Sequence, residues 1–112
     1  MNKLALLVGL STLSLSMTAS AAHWCEAYID AVIPSASGIT VVATSSYNGR
    51  SLDTLTKDYD DSNFGATYMR LLDAQKGRYV VRVYPVEGKG EEDGASCTDG
   101  SQDYLRTVFR PF

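Results

Sequence analysis

Two cysteines, Cys25 and Cys97, stand near opposite ends of a short chain and constrain its fold more than any other feature. In an oxidising compartment they are expected to pair, and closing so long a loop removes about 4 kcal/mol of denatured-state freedom in the chain-entropy model. The first residues point to such a compartment. Met1-Asn2-Lys3 is a short positive start, Leu4 to Met17 is mostly apolar and serine, and Ala19-Ser20-Ala21 is a small-x-small cleavage signal. Residues 1–21 are therefore expected to be a signal peptide and residues 22–112 a single domain, secreted to the periplasm and then outside the cell. The apolar stretch of the leader is short and serine-rich, and no later stretch approaches about 20 apolar residues, so no membrane span is expected. The cysteines lack CxxC spacing and read as structural.

About 90 residues remain, enough for one small domain with a limited core. Lys3 is the leader's sole charged residue, so the mature chain carries nine basic residues against 13 acidic ones, a net charge of −4. That balance argues against a nucleic-acid partner, which calls for a basic patch. The acids gather at Asp58, Asp60 and Asp61 and at Glu91, Glu92 and Asp93, clusters that read as solvated loops.

Residues 26–33, EAYIDAVI, are rich in strand formers and stop at Pro34, after which Ser35 to Gly38 reads as a turn. The β-branched run 39–47, ITVVATSSY, ends at Asn48-Gly49, the dipeptide of a tight type I′ hairpin, which leads into a weaker strand over 50–56. A helix follows. Asp61 or Ser62 is placed to cap it, Phe64, Tyr68, Leu71 and Leu72 recur at helical spacing, and Gly77 occupies the position of a C′ glycine. Asp60, Asp61, Lys76 and Arg78 suit the helix dipole, and Gly65 suggests a close backbone approach. RYVVRVY at 78–84 is the strongest strand, with Tyr79, Val81 and Val83 on one face; Pro85 ends it or marks an edge. A polar loop over 86–103 precedes the last strand at 104–110.

The expected order is three strands, a helix and two strands, an α+β, mainly β chain with one disulfide. It is the connectivity of the five-stranded oligonucleotide/oligosaccharide-binding (OB) barrel, with the helix between strands 3 and 4. An open antiparallel sheet with the helix across one face is the rival arrangement.

No enzyme is expected. His23, the lone histidine, lies at the start of the mature chain, so no Ser-His-Asp or Cys-His set can be built on a rigid element. Asp58-x-Asp60 begins like a calcium loop but has Asn63 at position six and no Glu at position twelve, so neither metal nor cofactor is expected. The candidate ligand site is the hairpin. Ser45, Ser46, Tyr47, Asn48 and Arg50 combine an aromatic face with hydroxyl, amide and guanidinium groups, the mixture that glycan recognition uses, with Arg suited to an acidic sugar. The alternative is that Tyr47 packs across the strands and Arg50 is merely solvated.

The leader, the early WCEAYIDAVI, the NGRSL hairpin, the helix DSNFGATYMRLLDAQKG running into RYVVRVYP, and the late cysteine together resemble the B subunits of bacterial AB5 toxins. The helix and strand look most like the pertussis-toxin and subtilase-cytotoxin type, and the cysteine placement more like the cholera and heat-labile enterotoxin group. The resemblance implies an OB-fold protomer that forms a homopentamer, binds host cell-surface glycans, sialylated ones included, and carries an enzymatic A subunit. The chain departs from the subtilase type in having no cysteine in its second and third strands, and no binding residue transfers by position. A second functional class stays open, a periplasmic inhibitor or immunity protein that meets a basic partner enzyme through Glu91, Glu92 and Asp93.

Overall fold

The computed structural model describes residues 23–111, so the leader lies outside the described residues. Five strands and one helix follow in the order β1 (Cys25–Pro34), β2 (Gly38–Ser45), β3 (Leu55–Asp58), α1 (Phe64–Gly77), β4 (Val81–Val86) and β5 (Asp103–Phe109). The strands close into a barrel ordered β1-β2-β3-β5-β4. With the helix between β3 and β4, this is the OB-type arrangement, and closure excludes the open sheet.

Closure depends on a long, bent first strand. Its outer half pairs antiparallel with β2 from Ile29↔Ala43 to Pro34↔Ile39, while its first residues also pair with β4, Cys25↔Val83 to Ala27↔Val81. A bulge at Asp30 makes the bend, and the displaced residue is held: its carboxylate accepts the Thr44 hydroxyl and its carbonyl accepts Gln75 Nε2. At the opposite side β3 and β5 meet in a short parallel ladder, Leu55↔Asp103 and Thr56↔Tyr104. At Gly38, where β2 begins, an added Cβ would run into the Lys57 carbonyl of β3, so only glycine lets these backbones meet.

Alternation fills the barrel as the β-branched runs require. Ile39, Val41 and Ala43 of β2, Val81 and Val83 of β4, and Leu105 and Val108 of β5 are buried around Ala27 and Ile29 of β1. The helix packs on β1 and β5 through Thr67, Leu71 and Ala74. The line expected from Phe64, Tyr68, Leu71 and Leu72 is thus rotated. Phe64 and Tyr68 stack on each other with centroids 5.3 Å apart and are only partly buried, while Tyr59 meets Phe64 edge-on.

Several local expectations are corrected. The hairpin is wider than a type I′ turn: Gly49 has φ 73°, Asn48 is not left-handed, and the Gly49 N–H donates to the Ser45 carbonyl. The third strand starts at Leu55 because the preceding backbone turns toward another partner, Asp53 N–H donating to the Cys97 carbonyl. The helix N-cap is Asn63, which makes no side-chain cap bond and instead donates its amide to the Arg106 carbonyl, while the expected cap Asp61 is engaged by Lys57 and Tyr104. At the other end Gly77 stays helical beneath the Tyr79 ring, and Arg78 takes the left-handed cap at φ 55°. Gly65 faces open space, so no backbone approaches it. Pro85 lies inside β4 at a bulge rather than ending it, and its carbonyl accepts the Ala95 N–H.

Candidate functional site

Cys25 and Cys97 are joined, with Cα atoms 6.6 Å apart. The bridge draws the loop before β5 against the start of β1, and the β2–β3 hairpin closes over the same end of the barrel. A cleft of about 400 Å³ opens between them, lined by residues that include Trp24, Glu26, Ser45, Tyr47, Asn48 and Thr98.

Each wall is fixed by short-range bonds. Ser45 Oγ accepts the N–H groups of Tyr47 and Asn48, Ser45 N–H donates to the Arg50 carbonyl, and Asn48 Oδ1 accepts the Arg50 N–H. The Ser46 N–H and hydroxyl both donate to the Glu26 carbonyl, tying the loop to β1. The Arg82 guanidinium lies over the Trp24 ring, 4.8 Å from its centroid, and Tyr84 is tilted against it at 6.0 Å. Arg82 in turn pairs with Glu26 at 3.3 Å.

The hairpin residues singled out from sequence therefore separate by role. Tyr47, 93% exposed, and Asn48 stand on the cleft with Ser45. The Ser45 and Ser46 oxygens are engaged in shaping the loop, while the Tyr47 hydroxyl and the Asn48 amide nitrogen make no hydrogen bond among the described residues. Arg50 is exposed and lies outside the cleft lining. Sequence reasoning missed Trp24, Ser96 and Thr98 as wall residues. The signal was present, since residues flanking two paired cysteines must be neighbours.

A second cleft, about 280 Å³, lies at the helix end between Asp61, Asn63, Glu91, Glu92, Tyr104 and Arg106. Beneath it Lys57 is fully buried, its ammonium donating to Asp61 at 2.9 Å and to the Leu105 and Arg106 carbonyls at 3.0 Å each. All three ammonium protons are thereby used. Tyr104 donates its hydroxyl to Asp61 and accepts the Asp58 N–H. Burial raises the Asp61 carboxyl, but the bonds from Lys57 and Tyr104 outweigh it and hold the group below its ordinary value. Burial first, then the neighbouring Asp61 and Asp58 charges, push the Tyr104 hydroxyl up despite its bond to Asp58. Asp58 and Asp60, the start of the discarded calcium pattern, both meet the ammonium of Lys89.

No helix among the described residues is long and apolar enough to cross a membrane. The disulfide is in keeping with an oxidising compartment. Comparison of the chain with protein-family models, curated proteins and solved structures found no match.

Proposed function

We propose that this protein is a secreted glycan-binding subunit of the AB5 toxin B type, acting as a homopentamer and using the cleft beside the disulfide for the sugar. One observation carries the reading: the cleft is lined by two aromatic residues, the exposed Tyr47 and Trp24, together with the polar Asn48 and Thr98. Aromatic faces suit the apolar side of a pyranose, and amide and hydroxyl groups suit its edge. No general acid–base pair or nucleophile is proposed, so the role is binding, with an enzymatic partner subunit supplying any chemistry. Arg50 lies outside the cleft lining, which favours neutral hydroxyl recognition over a carboxylate clamp at that residue.

A glycan array probed with the purified oxidised protein, together with native mass spectrometry, tests the reading. Expected are saturable binding to a defined set of host-type glycans and a mass of about five subunits. A monomer that binds no glycan refutes it. The second reading, an inhibitor of a basic partner enzyme, is favoured by the exposed Glu91, Glu92 and Asp93 beside the helix-end cleft. It predicts a salt-sensitive one-to-one complex instead.

A further inference from the structure

The loop that leads into β5 carries a group of acids that neither reading uses. One carboxylate oxygen each from Asp53, Asp99 and Asp103 lies within 4.8 Å of the others. Asp103 is only 3% exposed, and its Oδ2 is buried without a hydrogen-bond partner. The Ser101 hydroxyl oxygen stands 3.5 Å from Asp103 Oδ1, but its one proton is directed to Asp99 Oδ1 at 2.7 Å. None of the ion pairs among the described residues involves these acids, since Lys57, Arg82 and Lys89 are committed to Asp61, Glu26 and the Asp58/Asp60 pair. Three carboxylates therefore stand together, one of them buried, with no basic side chain paired to them among the described residues, an arrangement that a cation would relieve.

We propose that Asp53, Asp99 and Asp103 bind a calcium ion. All the donors are hard oxygens, as Ca²⁺ prefers, and the ion accepts six to eight of them, water included, in flexible geometry. Asp103 brings a buried carboxylate whose Oδ2 no protein group satisfies. Asp53 is preoriented, its two oxygens accepting the Asp99 and Gly100 N–H groups at 2.9 and 3.0 Å. Asp99 is steadied through Oδ1, which accepts the Ser101 N–H and hydroxyl. The sequence pattern Asp99-x-Ser101-x-Asp103 spaces oxygen side chains at alternate positions, and Asp53 completes the group from the segment before β3. The ion would fasten the residues following the disulfide to the start of β3.

The test is calorimetric titration of CaCl2 into the full-length oxidised protein freed of metal with EDTA, with thermal unfolding followed in parallel. Expected are one Ca²⁺ per chain and a rise in Tm of several degrees, both lost in Asp103→Asn and in Asp53→Asn but kept in Asp93→Asn. Asp103→Asn is the decisive variant, because its carboxylate has only the 3.5 Å contact with Ser101 and the amide is isosteric. Should Asp53→Asn fail to fold, Asp103→Asn alone decides. The absence of saturable Ca²⁺ binding at millimolar concentrations overturns the proposal, as does undiminished Ca²⁺ affinity in folded Asp103→Asn.

Discussion

Lys57 Nζ lies 2.9 Å from Asp61 Oδ2, and the same ammonium reaches two carbonyls of β5. A strand position that points into the barrel thus links β3, the approach to the helix and the last strand through one fully buried charge. Replacing Lys57 by Met keeps the apolar stem but leaves Asp61 and two carbonyl oxygens without their donor. The expected loss is about 3 kcal/mol or more in urea unfolding, against less for Asp61→Asn, which retains a hydrogen-bond acceptor.

The same network fixes the response to pH. The Asp61 carboxyl lies below its ordinary 3.8 in the folded protein, so its stabilisation is complete above that value and is lost as pH falls through the lower folded value. Tyr104 is displaced upward from 10.0, so its contribution is complete below pH 10 and is lost as pH rises through the higher folded value. Urea midpoints measured across pH should fall in both the acid and the alkaline arm. Asp61→Asn should flatten the acid arm and Tyr104→Phe the alkaline one.

The disulfide spans 72 residues, and the chain-entropy model assigns it about 4 kcal/mol. A Cys25→Ala/Cys97→Ala variant, or the reduced protein, should unfold at a correspondingly lower urea concentration. The loss also releases Ser96 and Thr98 from the cleft, so ligand binding should weaken even below the unfolding midpoint.

Cleft variants separate the hairpin residues. Under the proposed glycan-binding role, Tyr47→Ala and Trp24→Ala should each weaken binding about tenfold or more, measured by calorimetry, through the loss of a ring face. Tyr47→Ala should leave the urea midpoint unchanged because the ring is exposed. Arg50→Ala should leave both affinity and stability near wild type, since its side chain lies outside the cleft lining.

The strand order and the disulfide were legible because β-branched runs such as ITVVATS, the polar loop and the cysteine positions agree with one topology. Lys57 was not, although it alternates with the buried Leu55, since local sequence gives no sign of the two β5 carbonyls that receive its protons. The β3 start was misplaced for a similar reason, the Asp53 N–H being diverted to Cys97. At the cleft, Tyr47 and Asn48 could be read from the turn dipeptide. Arg50 could not be ruled out of the lining, because the orientation of a loop side chain depends on hydrogen bonds such as that from its own N–H to Asn48.

The last strand in the chain sits between β3 and β4, not at an edge of the sheet. The ring therefore has no finished shape while the chain is still emerging: until residues 103–109 arrive, β3 and β4 each expose an unpaired border and the Lys57 ammonium lacks its two carbonyls. Closure of the ring therefore rests on β5, which alone joins β3 to β4.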